Sequence, residues 1–384
     1  MKKMNLSRRA FSAWCMAVLI AVMGLGLAGC GSSGATAGST GTGSAATETA
    51  KTVTFTDSVG RKVEVPANID KIVPSGHTAN MVLLTLAPEK MVGLSQEMTD
   101  AQKRYLGDKV ADDLPVLGAA FGAKGDLNKE AVAASGAQLL IDTGEAKDGI
   151  AEDLDALQEQ LGIPCVFVES TLDKWGDAYR TLGKLLGCEE RADELADYCD
   201  KAYSEVSDVM DAMPESERAN VLFATGDTGT NVLAKGSFQA GVVDMLANNV
   251  AVVDSPSGKG SGNESSLEQI AAWNPDVILF GSMGGASAYD TASTDPAWAK
   301  LPAIASGSYC EVPSTPYGWL NNPPTVNQVL GMQWLSHVLY PDKFDDSVED
   351  VVSDYFKTFY GYKLSDSELS ALLARATMST DGSK

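Results

Sequence analysis

Metal binding, proton transfer and nucleophilic attack each need particular side chains, and this sequence is short of one kind. Only two histidines occur, His77 and His337, so a metal centre built from several imidazoles cannot be assembled. His77 stands in Pro74-Ser75-Gly76-His77-Thr78, between a strand-like pair and a helical pattern. There it can reach a ligand, bind a metal already held in a chelate, or simply cap the helix. His337, inside Trp334–Tyr340 at helical spacing, reads as structural. Four cysteines fall in the body of the chain, Cys165, Cys188, Cys199 and Cys310, and allow three complete disulfide pairings. Cys188 and Cys199 on one straight helix would stand about 16 Å apart, too far to bond. No C-x-x-C is present. Two Asp-Thr-Gly tripeptides, 142–144 and 227–229, follow apolar strands and could supply paired carboxylates.

The most unusual stretch is 313–324, Pro-Ser-Thr-Pro-Tyr-Gly-Trp-Leu-Asn-Asn-Pro-Pro. Its prolines and glycine predict a rigid loop. Tyr317 and Trp319 with Asn321 and Asn322 just beyond combine aromatic faces and amide donors, which suit a large planar or chelate ligand. Packing of these aromatics within the loop is the structural alternative. Further candidates after strands or in glycine-rich loops are Gln96, Phe121, Phe238 and Met283. Gly281–Gly285 lacks the Lys-Ser/Thr of a phosphate loop.

The elements that must carry these residues alternate. After strands at Val53–Phe55 and Lys62–Pro66, the pattern predicts strand Ile72-Val73, helix Asn80–Leu86, strand Met91–Leu94, helix Glu130–Ala134, strand Gln138–Asp142, helix Ile150–Leu161 and strand Cys165–Val168. A helical region over Leu172–Met213 breaks at Gly187, and Glu190–Met213 would be about 36 Å long. The rhythm restarts with strand Val221–Ala224, helix Ala240–Leu246, strand Ala251–Val253, helix Leu267–Ala272 and strand Val277–Phe280. Helices follow at Gln328–Leu339, Val348–Tyr360 and Asp366–Ala376. The expected fold is α/β: two lobes with mainly parallel sheets joined by one long rigid helix, with a ligand cleft between them where βα loops converge. The expected division is an N-terminal lobe at 51–188, the long helix at 189–213 and a C-terminal lobe at 214–384.

Residues 1–29 read as an address. Lys2, Lys3, Arg8 and Arg9 precede the uncharged apolar run Ala13–Leu25, too short for an ordinary membrane span. Leu27-Ala28-Gly29-Cys30 resembles a bacterial lipobox, which makes Cys30 the expected lipidation site. Ser7–Phe11 also matches the start of a twin-arginine signal, leaving the export route open. Residues 30–50 are almost all Gly, Ser, Thr and Ala, a flexible tether. The 384 residues carry 29 basic and 51 acidic side chains. Without the four basic residues of the leader, 25 face 51, a net charge of −26. Such acidity argues against nucleic-acid binding. The expected place is extracytoplasmic, held to the cell membrane by lipid on Cys30.

Across Thr52–Leu373 the chain resembles the class III periplasmic binding proteins, lipoprotein components of ABC importers for iron–siderophores, haem, cobalamin and similar chelates. Phe55–Pro66 is similar to the family's D-x-x-G-R-x-V-x-V-P entry. Ser266–Ile270 with Asn274–Ile278 resembles its S-x-E-x-I…N-P-D-V-I block, and Trp334-Leu335, Leu339–Pro341 and Phe359–Tyr362 its C-terminal helices. The resemblance implies limited hinge motion, a shallow cleft, and two acids that meet the permease, by position Glu130 and Glu268. Both also suit helix N-termini. Many relatives carry Arg before the Pro-Pro pair, whereas Asn322 stands here, which weakens the case for a multiply anionic catecholate. The expected ligand is an iron–siderophore or related chelate delivered to permease subunits by a monomer without a cofactor. Haem, cobalamin or a nickel or cobalt chelate is the alternative. An aspartic-type protease and a surface scaffold lipoprotein are more distant. Those proteases are mainly β, and only 85 residues separate Asp142 from Asp227.

Overall fold

The computed structural model describes residues 51–378, apart from 112, 122–124 and 283–286. The leader, Cys30, the tether and Met283 lie outside the described residues.

An antiparallel hairpin, β1 (Thr52–Thr56) and β2 (Lys62–Pro66), opens the fold. Buried Asp57 holds its turn by accepting from the N–H groups of Val59 and Arg61 and pairing with the Arg61 guanidinium at 2.9 Å. Arg61 also donates to the carbonyl of Cys165, tying the hairpin to the first sheet. That sheet is parallel, in the order β3 (Ile72–Pro74), β4 (Leu139–Gly144), β5 (Cys165–Glu169). Its connections carry α1 (His77–Leu86), α2 (Asp100–Leu106), α3 (Lys129–Ser135) and α4 (Ile150–Leu161).

A helical hairpin follows, α5 (Trp175–Leu186) and α6 (Glu189–Ala212). Gly187 ends α5 at φ 66°, a left-handed conformation that glycine adopts without penalty. Gly183 lets the two helices touch, since a Cβ there would lie 2.3 Å from that of Ala192. The 24-residue α6 buries Ala192, Leu195, Ala196, Cys199, Ala202, Val206 and Met210 at helical spacing.

In the second sheet β6 (Asn220–Thr225) pairs in parallel with β8 (Asn248–Asn249) and β10 (Val277–Gly281), and β10 with β11 (Tyr309–Glu311). The short β7 (Asn231–Val232) and β9 (Asn263–Glu264) add antiparallel pairs at the edge. Around it lie α7 (Gly241–Leu246), α8 (Leu267–Trp273), α9 (Tyr289–Thr294) and α10 (Pro302–Ala305), and α11 (Asn327–Leu339), α12 (Val348–Tyr360) and α13 (Asp366–Leu373) complete the fold. The α/β class and the parallel sheets inferred from the alternation are present.

Two expected strands are not. Met91–Leu94 forms only single bridges, Ile72 to Met91 and Leu94 to Val116. Over Ala251–Val253 the Val252 N–H turns back to the carbonyl of Val250, and Val252 is 64% exposed. An apolar run open to water on one side does not satisfy the buried-strand pattern.

One continuous apolar cluster runs from Ile141 and Val166 of the first sheet through Leu195 and Val206 of α6 to Phe223 and Leu279 of the second, and on to Trp334 and Phe356. Smaller clusters pack separately within each sheet's own layers. All four cysteines in the described residues are free thiols. Burial pushes those of Cys165 and Cys310 up to about 12, that of Cys188 to about 11, and that of Cys199 well up.

Candidate functional site

Parallel strands leave their chemistry at their carboxyl ends, where the chain departs into loops. Two of the cavities that open there hold residues singled out in the sequence. The first, about 370 Å³, is lined by Ser75, His77, Asp142, Thr143, Lys147 and Phe121 of the first sheet's loops and by Phe238 from beside the second. Lys147 reaches across, its ammonium 5.9 Å from the centroid of the Phe238 ring. The second cavity, about 420 Å³, is lined by Gln96 and Gln102 on one side and by Ser282, Ser314, Tyr317, Asn321 and Asn322 on the other. His77 connects the two: its Nδ1 lies 3.0 Å from Ser95 Oγ, and Gln96 is the next residue.

The sequence candidates thus fall into two groups. His77, Phe121 and Phe238 line the first cavity, and Gln96, Tyr317, Asn321 and Asn322 line the second. Trp319 joins neither and is corrected: it is 1% exposed and faces the core. Its indole N–H donates to the carbonyl of Thr315 at 3.0 Å and its ring meets Trp334 edge to face at 6.0 Å. A large apolar ring one turn of loop from the core gains more by burial than by facing a wet cleft. Trp319 anchors the loop, and side chains at the start of α11 fasten it further: Asn327 donates to the Gly318 carbonyl and Gln328 to that of Leu320. The expected loop at 313–324 contains no helix or strand, and its Thr315-Pro316 and Asn322-Pro323 bonds are cis.

Polar groups in these cavities have bonding capacity to spare. The hydroxyls of Thr143 and Tyr317 and the amide nitrogen of Asn321 are buried and have no hydrogen-bond partner among the described residues. Orphans of this kind are costly unless a ligand or water completes them. Burial pushes the Tyr317 phenol far up, so it remains a neutral donor. Burial also raises the Asp142 carboxyl to about 6, against the opposing pull of the Ser75 hydroxyl, the Thr143 N–H and Lys147. Asp227 is exposed in its own turn, so the two Asp-Thr-Gly sequences differ in environment as well as position. His337 is buried within α11, stacked on Phe344 and bonded to Asp346 at 2.9 Å, the structural role its spacing predicts.

Sequence reasoning missed Asp142, Thr143 and Lys147 as cavity residues, though their place after an apolar strand was the signal for it. It also missed Gln102, whose amide reaches the Pro316 carbonyl at 3.3 Å from a helix too short to stand out.

Glu130 and Glu268 are exposed, each the second residue of its helix. The two helix starts share one design: Asn128 accepts from the Ala131 N–H, and Ser266 from the Gln269 N–H. The carboxyl of Glu268 is held below its usual range by its own backbone N–H and by the Ser266 hydroxyl.

Among known proteins, the chain is 24% identical over 330 residues to the molybdate-binding protein MolA of Haemophilus influenzae, covering 79% of this chain and 90% of that one. It is 23% identical over 188 residues to the Fe(3+)-citrate-binding protein YfmC of Bacillus subtilis, covering 48% and 56%. An ABC transporter solute binding protein from Sulfurospirillum deleyianum superposes with a TM-score of 0.74 at 26% identity, over 84% of this chain and 99% of that one. Residues 78–316 match the family described as periplasmic binding protein. The chain therefore belongs to the periplasmic binding protein family, the class III solute-binding components of ABC transporters, which work outside the cytoplasm.

Proposed function

We propose that this chain is a lipid-anchored substrate-binding protein that captures an iron–siderophore or related metal chelate between its lobes and passes it to an ABC permease. The observation that carries the reading is the pair of cavities at the strand ends, aromatic at one end and bearing buried Tyr317 and Asn321 donors without partners at the other. A chelate offers many oxygen acceptors and apolar edges, the complement of such a surface. In this reading the lobes are 51–188 and 214–384, with 189–213 as the helix between them. Cys30 holds the lipid, and Glu130 and Glu268 face the permease.

A second reading, a small oxyanion, has support in the 330-residue alignment to a protein named for molybdate. Titration of intrinsic tryptophan fluorescence separates the two, because Trp319 anchors the cavity loop and its emission should respond to an occupant. The panel is a ferric hydroxamate, ferric citrate, haem, cobalamin, nickel and cobalt chelates, and molybdate. Saturation by one chelate below about 10 μM, tighter than about −7 kcal/mol, is the expected result. Saturation by molybdate alone favours the second reading, and no saturation by any member removes both.

A further inference from the structure

The charges around the two cavities are unequal, and they bear on which chelate fits. The first cavity is lined by four carboxylates, Asp142, Glu145, Asp148 and Asp153, against Lys147 and the exposed His77. Among the described residues the second is lined by no ionisable acid or base except the phenol of Tyr317, and its polar side chains are amides and hydroxyls. Among the described residues no guanidinium lines either one; Arg104 and Arg375 line an adjoining cavity that shares Ser282 and Ser314 with the second, and both are paired with carboxylates. The Lys147 ammonium lies 5.9 Å from the centroid of the Phe238 ring and also acts on Asp142.

We infer that the ligand is a ferric chelate without net negative charge, its oxygen-rich core on the neutral cavity and a cationic amine arm directed to the acidic one. This deepens the chelate reading above and rests on it. Three observations meet here. Among the described residues, a polyanion would bring its charge toward four carboxylates with one ammonium to offset them, and would find only uncharged donors at the other end. An ammonium in the first cavity would have the carboxylates of Glu145 and Asp148 on the rim and the rings of Phe121, Phe167 and Phe238 along the wall. The acidic cluster does not stand alone, because Thr143, 5% exposed, lines the same cavity with a hydroxyl that has no partner among the described residues. In the second cavity Tyr317 and Asn321, 7% and 3% exposed, supply donors of the same kind for chelate oxygens. The phenol is held protonated by burial and so donates without adding charge.

The test compares ferrichrome, which is uncharged, ferrioxamine B, which bears one ammonium, ferric enterobactin, which is a trianion, and ferric citrate, all by fluorescence titration of the full chain at two salt concentrations. Ferrioxamine B is expected to bind at least as tightly as ferrichrome, and both at least about 100-fold more tightly than the two anions. Glu145→Gln combined with Asp148→Asn alters only exposed residues. It should cut the preference for ferrioxamine B over ferrichrome by about 10-fold, as should high salt. Tighter binding of either anion overturns the charge assignment and leaves the chelate reading standing. An unchanged preference in the double variant overturns the placement of the amine. If none of the four binds below about 10 μM, the iron-chelate reading fails and this inference with it.

Discussion

Asp142 holds a proton in the folded protein that the unfolded chain gives up, because burial lifts its carboxyl from the usual 3.8 to about 6. Folding takes up that proton between the two values, so this contribution to stability is complete below about 3.8 and is lost as pH rises through about 6. Asp142→Asn preserves an acceptor for the Ser75 hydroxyl and removes the charge. The variant should be more stable than the parent above pH 6, by about 3 kcal/mol, and should show a flatter denaturation profile from pH 4 to 6. Equal profiles would mean that the carboxylate is as comfortable inside as out. Tyr317 and Trp319 make a second contrast, two residues apart in one loop. Trp319→Ala should cost about 3–5 kcal/mol in urea denaturation, as removal of a fully buried ring does. Tyr317→Phe should leave the unfolding midpoint within experimental error and weaken ligand binding about 10-fold, the scale of one buried hydrogen bond. If Trp319→Ala unfolds like the parent, the anchoring role is wrong.

At the scale of elements, α2 is the piece that joins distant parts. Gln102 touches the cavity loop at Pro316, Tyr105 packs edge to face with Phe356 and Tyr362, and Arg104 pairs with Glu368 at 2.5 Å. Glu368 also accepts from the Tyr362 hydroxyl and caps α13 through Ser365, and these bonds hold its carboxyl near 2. Glu368→Gln should speed amide hydrogen exchange in Asp366–Leu373 and across α2, with no change in α6; protection that stays equal everywhere would show that the contact is idle. Much of the scaffold around this joint was legible in the sequence. Ile150–Leu161 and Val348–Tyr360 agree at both ends with α4 and α12, because long amphipathic runs bounded by glycine or a Ser cap leave little choice. The helix α2 was not foreseen, although Thr99 and Gln102 form a capping box at its start. Seven residues give too little periodicity to separate helix from loop. The site was legible in its positions and less so in its directions. Nothing local in 313–324 says that Trp319 turns to the core and Tyr317 to the cavity, since Trp334, its partner, comes fifteen residues later.

At the scale of the whole molecule, the two sheets are joined by one apolar cluster that crosses from one to the other along α6. Opening the cleft widely would expose that core, so ligand binding should alter the radius of gyration in X-ray scattering by only a small fraction; a large domain closure on titration would contradict this. A permease would then have to distinguish loaded from empty by small displacements of fixed points, and Glu130 and Glu268 on matching helix starts are suited to it. Glu130→Arg with Glu268→Arg should abolish uptake in cells while leaving ligand affinity within about twofold; normal uptake would rule out docking through these acids. The buried thiols of Cys165, Cys199 and Cys310 and the half-buried one of Cys188 carry a practical consequence. With Cys165 and Cys310 raised to about 12 and Cys188 to about 11, they present at least about 100-fold less thiolate at neutral pH than an ordinary surface cysteine. Ser314 sits exposed on the rim of the second cavity. In a protein expressed from Gly31 onward, Ser314→Cys should therefore accept one maleimide dye without removal of these four cysteines, turning the cleft into a reagentless optical sensor for its own cargo.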